Sequence, residues 1–172
     1  MNKKPLILSA IGIFMTALLM WPKKAMSASE SAALMFGDVI PGNPRRGCDG
    51  SGCGAYQASR GSREHKGIDI AADVGDKVYS PISGTVLRQT QVYSNDTRYR
   101  GIVIAGTGIY VGYEVKLFYL YNMIMQAGVE VTKNQVIGQV QDLRVKYPSI
   151  KNHVHVEIRK DGVLIDPTNF IK

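Results

Sequence analysis

The segment HVHVEIRK, residues 153–160, combines the alternation of a β-strand with two histidines one residue apart. Side chains of an extended chain point alternately to opposite faces. His153 and His155 therefore project together, while Val154 and Val156 project from the other face. Two neighbouring imidazoles repel each other when both are protonated. The segment predicts a strand with one apolar face and one face that carries chemically active groups.

Short runs of β-branched and aromatic residues fill the rest of the chain, with glycine, proline and asparagine between them. No long segment after the N-terminal region shows the 3.6-residue period of a helix. The sequence predicts a mostly β fold built from antiparallel hairpins. Two segments that begin with Gly75 and Gly128 resemble each other and predict equivalent hairpins. The runs that predict strands are 67–72, 77–82, 84–93, 101–106, 113–123 and 129–140.

The chain has only three histidines, and the third one, His65, lies four residues before Asp69. These two residues lie roughly on one face whether their segment is extended or helical. A catalytic zinc ion needs three nitrogen, sulfur or carboxylate ligands and one open position. Two histidines and an aspartate meet that need, and the remaining histidine is available to move protons. The alternative is that each histidine is an ordinary hydrogen-bonded residue, but the use of all three in two motifs favours zinc.

The N-terminal segment 1–27 has the pattern of a secretory signal peptide. A positive start precedes an apolar run over 6–21, and small residues follow at 25–29. An uncleaved N-terminal anchor is the alternative, because Pro22 and two lysines interrupt the path to the cleavage site. The apolar run is short for a span of about 20 residues. We expect cleavage after Ser27, export to the periplasm or the extracellular space, and no stable membrane insertion afterwards.

The two cysteines, Cys48 and Cys53, lie in a glycine-rich stretch. An exported protein meets an oxidising compartment, so a small disulfide loop is expected. Metal binding is the alternative, but the C-x-x-C spacing of zinc sites is missing and no histidine lies nearby in the sequence. The loop opens the predicted zinc-binding β domain, residues 48–172, and an irregular extension over residues 28–47 precedes it.

The formal net charge is +7, and four lysines of the N-terminal segment account for more than half of it. The remaining domain is mildly basic, which suits an anionic surface such as a cell envelope or a glycan. It lacks the run of lysine and arginine that is typical of nucleic-acid binding. We therefore expect no nucleic-acid partner.

Three motifs together resemble those of the lysostaphin-type zinc metallopeptidases, which cut peptide bonds in bacterial cell walls. The resemblance covers roughly residues 46–170. Two segments are similar almost residue for residue to segments of the secreted animal chemotaxins, which match more closely than the enzymes do. These segments are RRGCDGSGCGAYQASRGSREHKGIDI and KYPSIKNHVHVE. The three motifs are His65-x-x-x-Asp69, Gly75-x-x-Val78-x-x-Pro81-x-x-Gly84-x-Val86 and His153-x-His155.

The resemblance implies that His65, Asp69 and His155 bind zinc. It implies that His153 stands beside the metal, as a base or as a group that stabilises the tetrahedral intermediate. The enzymes carry a further histidine upstream of a Val-Ile-Gly turn, and Tyr119 falls at that position here. The chemotaxins also have tyrosine there and are regarded as lacking peptidase activity. An ordinary packed aromatic is the alternative for this tyrosine.

The resemblance therefore implies an exported zinc domain that acts on or binds cell-wall peptidoglycan peptides, with weak activity. A neutral tyrosine is a weaker donor to an oxyanion than a charged histidine. Its partners would be peptidoglycan or another extracellular peptide or glycan. The alternative is a catalytically silent, chemotaxin-like zinc module that binds a receptor or a glycan.

Overall fold

One antiparallel sheet of nine strands carries most of the regular structure in this computed structural model, which describes residues 35–124 and 126–171. The mostly β prediction is confirmed. The predicted signal segment, residues 1–27, lies outside the described residues. The strands are β1 Cys48–Asp49, β2 Gly52–Cys53, β3 Ile68–Ala71, β4 Lys77–Tyr79, β5 Gly84–Tyr93, β6 Asp96–Gly106, β7 Tyr113–Tyr121, β8 Glu130–Val131, β9 Val136–Val140, β10 His153–Lys160 and β11 Val163–Ile165, with 3-10 turns at Gly108–Tyr110 and Pro167–Asn169.

The strand β10 is paired along both of its sides. Six strands lie side by side in the order β11-β10-β7-β6-β5-β8, and β3 pairs with the first half of β10. The strand β9 pairs with both β4 and β7. Because β10 has a neighbour on each side, its backbone hydrogen bonds hold it in one register. Both of its faces are available to side chains.

The hydrophobic core lies against one face of the sheet, and β10 shows how the alternation works. Val154, Val156 and Ile158 are fully buried in the core. His153 and His155 are buried too, but on the opposite face, as the sequence predicts. Burial of an aliphatic side chain of this size contributes about 1.5–3 kcal/mol. The apolar face therefore fixes where the two histidines lie.

The segment before the disulfide packs against the same core. Phe36, Val39 and Ile40 are buried there. The backbone of residue 39 accepts a hydrogen bond from the Tyr79 amide at 2.9 Å. The Arg46 amide donates to the Asp69 carbonyl at 2.8 Å, beside β3. Residues 36–46 are thus part of the folded unit that carries the site.

The two similar glycine segments do not form the predicted hairpins. Gly75 and Gly128 both have left-handed backbone, with φ of 90° and 87°. The Gly75 amide donates to the Val140 carbonyl at 2.9 Å, and the Gly128 amide donates to the Val86 carbonyl at 2.8 Å. Each segment therefore pairs with the strand that follows the other one, β4 with β9 and β8 with β5. The sequence similarity of the two segments therefore reflects two strand–turn–strand units, each of which pairs with the other.

The predicted disulfide is confirmed, since Cys48 and Cys53 are bonded. They face each other across the short β1–β2 ladder, where Asp49 pairs with Gly52. Residues 48–53 therefore form a closed loop before β3. No helix among residues 35–124 and 126–171 has the length and apolar composition needed to cross a bilayer.

Gly67 tests how closely β3 approaches β10. A Cβ atom at Gly67 would lie 2.1 Å from the Val156 carbonyl oxygen and 2.9 Å from Cε1 of His155. We expect Gly67→Ala to lower the free energy of unfolding by about 1–3 kcal/mol, because the backbone of an interior strand must move. Denaturant unfolding measures the change. The control is Gly47→Ala, whose Cβ meets nothing within 4 Å; equal losses in the two variants would contradict the close packing.

Candidate metal centre

The strand pairing brings the three predicted zinc ligands together. Asp69 of β3 and His155 of β10 are direct cross-strand partners, so their side chains project from the same face. His65 lies in the loop before β3, where its backbone amide donates to the Ala58 carbonyl at 2.9 Å. All three side chains are buried. Residues far apart in the sequence thus meet at one point on the sheet.

The three candidate ligand atoms form a small triangle. Nε2 of His65 lies 2.8 Å from Nδ1 of His155 and 3.2 Å from Oδ1 of Asp69. Nδ1 of His155 lies 3.0 Å from the same carboxylate oxygen. Ligand atoms at about 2.0–2.1 Å from a tetrahedral zinc lie roughly 3.3 Å from each other. The triangle therefore fits three corners of a tetrahedral site.

The hydrogen bonds on the far side of each ring assign the tautomers. Nδ1 of His65 lies 2.7 Å from the Ala55 carbonyl, and Nε2 of His155 lies 3.3 Å from Oε1 of Glu157. Each of these nitrogens donates its N–H to that oxygen, which leaves the other nitrogen with a lone pair. Two nitrogen lone pairs and a carboxylate oxygen then face one another. Such a cluster needs a cation or an added proton at its centre, so the donor set fits a metal ion.

The ionisation of the site points the same way. Burial alone would raise the pKa of the Asp69 carboxyl, but hydrogen bonds with His155 and His65 outweigh it and hold that pKa well below its usual value. Burial alone would lower the pKa of His155, but Asp69 and Glu157 raise it. Both shifts show that positive charge is favoured between these side chains.

Arg46 holds the second oxygen of the aspartate. Its Nη1 donates to Oδ2 of Asp69 at 2.9 Å, and both side chains are almost fully buried. Its Nε and Nη2 donate to the Asp49 carboxylate at 3.0 Å and 2.6 Å, and Nη2 also donates to the Gly52 carbonyl. The disulfide loop thus anchors the arginine, and the arginine leaves Oδ1 of Asp69 directed at the two histidines.

Glu157 occupies the next position on the histidine-bearing face of β10, two residues after His155. Burial alone would raise the pKa of Glu157, but hydrogen bonds with His155 and Lys116 lower it to about 2. It therefore stays ionised and orients the imidazole, as carboxylates do beside metal-bound histidines. Sequence reasoning missed this residue, although the two-residue period of the strand was a signal for it. Arg46 had no such signal, because only the fold brings it to the aspartate.

His153 lies beside the triangle and outside it. Its Nδ1 donates to the Lys151 carbonyl at 2.8 Å, and its Nε2 lies 3.6 Å from Oδ2 of Asp69. Burial lowers the pKa of His153. A neutral ring in this tautomer directs the lone pair of Nε2 towards the site, where it can accept a proton.

A β-bulge directs Tyr119 into the site. Its φ is 71°, and the pairing of β6 with β7 shifts register at this point. Leu117 and Leu120 remain in the core, so Phe118 and Tyr119 both face the site. The Tyr119 ring packs edge-on against His153, with the ring centroids 5.3 Å apart. Burial raises the pKa of its hydroxyl, which therefore keeps its proton.

An open groove with a volume of about 470 Å³ lies over the triangle. Every predicted site residue, whether assigned to the metal or to catalysis, lines it. The groove also contains basic and aromatic side chains that the sequence analysis did not single out. These are Arg46, Arg60, Arg63, Lys66, Lys116, Arg159, Tyr93, Phe118 and Tyr147.

Comparisons with known proteins agree with this geometry. Peptidase family M23 matches residues 63–167. Leukocyte cell-derived chemotaxin-2 of Bos taurus is 32% identical over 130 residues, which are 75% of this chain and 80% of that protein. Stage II sporulation protein Q of Bacillus subtilis is 33% identical over 112 residues, which are 62% of this chain and 36% of that longer protein.

The antimicrobial peptidase lysostaphin from Staphylococcus simulans has a similar fold. The two structures align with a TM-score of 0.59 and 18% identity, over 80% of this chain and 53% of lysostaphin. The family match and the identity to chemotaxin-2 confirm the resemblance that the sequence motifs indicate. The disulfide loop and Arg46 lie outside the segment that matches the family.

Arg46 provides a test of the buried network. We expect Arg46→Met to lower the free energy of unfolding by roughly 3–5 kcal/mol, because it removes the only guanidinium that donates a hydrogen bond to the buried Asp69 carboxylate among the described residues. The matched control is Arg144→Met, since the pair between Arg144 and Asp142 is 58% and 34% exposed. That variant should change the same quantity by less than about 1 kcal/mol. Denaturant unfolding measures both, and equal effects would contradict the anchoring role of Arg46.

Proposed function

This chain belongs to peptidase family M23, and on that premise we propose that it is an exported zinc domain that slowly hydrolyses peptide bonds of cell-wall peptidoglycan. The observation that carries the proposal is the triangle of lone-pair atoms from His65, Asp69 and His155, no more than 3.2 Å apart. Its size and its donor chemistry match a zinc site with three protein ligands and one open position.

The chemistry that zinc supplies when bound is polarisation of a peptide carbonyl and activation of water at neutral pH. His153 accepts the proton of the attacking water through Nε2. This nitrogen is available because Nδ1 donates its N–H to the Lys151 carbonyl. The Tyr119 hydroxyl donates a hydrogen bond to the carbonyl oxygen that gains negative charge, and it keeps its proton. Arg46 and Glu157 keep the ligands oriented throughout.

Low activity follows from the character of the Tyr119 hydroxyl. A neutral donor stabilises an oxyanion less than a charged one, and the loss of one such donor reduces the rate of other enzymes by about 100- to 1000-fold. The hydroxyl keeps its proton because burial raises its pKa. Tyr119 therefore supports the transition state only in part.

Export rests on two features of the chain. The segment 1–27 has the positive, apolar and small-residue regions of a signal peptide, and the disulfide between Cys48 and Cys53 is typical of oxidising compartments. We propose that the domain works in the periplasm or outside the cell, where peptidoglycan is accessible.

A second function is favoured by Tyr119 and by the similarity to chemotaxin-2. In this alternative the zinc ion stabilises the fold and the groove binds a receptor or a glycan without cutting it. The two functions differ in one property, which is turnover. Release of new amino groups from purified peptidoglycan, with and without a chelator, separates them.

The metal assignment predicts different effects for the two histidines of β10. His155→Ala removes one of three ligands, so the variant should retain less than about a tenth of one zinc per chain after dialysis. His153→Ala should retain most of its zinc, because its Nε2 lies outside the triangle. Elemental analysis of the purified proteins measures both. Full zinc in the first variant would refute the ligand set, and loss of zinc in the second would reverse the two roles.

The activity assignment predicts a gain of function. Tyr119→His should raise the rate of peptidoglycan cleavage by about tenfold or more, because it restores a donor that can carry charge. The matched control is Tyr121→His, on the same strand but outside the groove, which should leave the rate unchanged. Fast, chelator-sensitive cleavage by the unmodified protein would show instead that the tyrosine already serves the oxyanion fully.

A further inference from the structure

We infer that the groove recognises a short peptide through its carboxylate groups, which bind the basic side chains around the candidate metal centre. This inference rests on the proposed function and specifies its substrate class. The groove is lined by six cationic side chains and by two carboxylates among the residues that the structure describes. It therefore has an excess of positive charge even before a divalent metal is counted.

Both carboxylates of the groove are already engaged. Asp69 interacts with two histidines and with Arg46. Glu157 bonds with His155 and with Lys116, whose Nζ lies 2.8 Å from Oε2. Neither acid can neutralise further cations, so the remaining positive charge faces the ligand.

Several of the cations have no acidic partner. Within residues 35–124 and 126–171, no ion pair involves Arg63, Lys66 or Arg159. Arg63 and Lys66 are exposed, so their charges are hydrated and available. The nearby Glu64 does not line the groove. Such groups attract anions over several ångströms and pair with carboxylates on contact.

Arg60, which does pair with an acid, adds a further positive charge next to the candidate metal. Its Nη2 lies 3.8 Å from Oδ2 of Asp69 and donates to the Cys53 carbonyl at 2.6 Å. The side chain also lies against Gly52, where a Cβ atom would meet Nη1 at 2.7 Å. The guanidinium is thus held in position by the disulfide loop. A carboxylate of a bound peptide would reach it close to the bond being cut.

The other side chains of the groove are aromatic. Phe118 and Tyr119 flank the histidines, and the hydroxyls of Tyr93 and Tyr147 lie 2.8 Å apart. Aromatic surfaces pack against small apolar groups and leave water on their polar edges. A ligand that combines carboxylates with small aliphatic side chains satisfies both parts of the groove. A peptide has this character, whereas a sulfated glycan is polar on most of its surface.

Binding calorimetry with the exported protein, after incubation with zinc and removal of the excess, tests the inference. The probes are acetyl-Ala-Glu-Ala-Ala-amide, its Gln counterpart, and the Gln peptide with a free carboxyl end. We expect at least one of the two acidic peptides to bind about fivefold or more tightly than the neutral Gln amide. Tighter binding of the Glu amide indicates recognition of a side-chain carboxylate, and tighter binding of the free-acid peptide indicates recognition of the terminal carboxylate. Raising the salt concentration should reduce the difference. Equal affinities for all three peptides would overturn the inference.

Arg63→Gln should reduce the preference for the acid peptide by about threefold to tenfold. The matched control is Arg88→Gln, since Arg88 is also without a carboxylate partner among the described ion pairs but lies outside the groove. The control should keep the full preference. An equal loss of acid preference in the two variants would mean that only the overall charge of the protein matters. The groove would then not be the site that recognises the carboxylate.

The zinc content of the same samples separates this inference from the proposed function. Acid preference without zinc would refute the metal centre and leave the anion groove standing. Bound zinc without acid preference would refute the groove alone. A heparin-derived tetrasaccharide serves as the competing ligand class. If it binds more tightly than every peptide and loses affinity in Arg63→Gln, the groove recognises a glycan and the peptide inference is wrong.

Discussion

The register between β3 and β10 is the constraint on which the site depends. It places Asp69 directly opposite His155 and sends Ile68, Ile70, Val154 and Val156 to the other face. A slip of one residue would move the polar groups into the core and the aliphatic ones into the groove, which the loss of apolar burial forbids. The hydrophobic core therefore determines the geometry of the chemistry on the far face. The stability of the sheet and the geometry of the three candidate ligand atoms therefore have the same origin.

Each candidate ligand of the site is oriented by a hydrogen bond to another polar group. His65 is held by a backbone carbonyl, His155 by Glu157, and Asp69 by Arg46. Buried polar groups are tolerated when every partner is present, and they become destabilising when one is removed. The network is thus rigid before any ligand binds. Candidate ligands that are held in place, with one side open to a groove, are the arrangement that the proposed function requires.

Much of this arrangement could be predicted from alternation within single segments. The pattern HVHVEIRK indicated a strand with its histidines on one face, and the spacing of His65 and Asp69 indicated a shared face. The interlocked pairing of β4 with β9 and β8 with β5 could not be predicted, because it depends on contacts between distant segments. The bulge at Tyr119 was also hidden, since a strand pattern does not reveal a residue with positive φ. Arg46 was missed for the same reason as the pairing, because only the folded chain brings it to Asp69.

The position of Arg46 has a consequence for how this fold can be divided or exchanged between relatives. The segment that matches the family begins at residue 63, but the counter-charge of Asp69 comes from residue 46 and is fastened by Asp49 of the disulfide loop. A fragment trimmed to the family boundaries would expose a buried acid that had lost its partner. A chimera that transplants β3 and β10 must carry the loop with them. The shortest fragment of this chain that keeps the buried pair intact is therefore longer than the segment that matches the family.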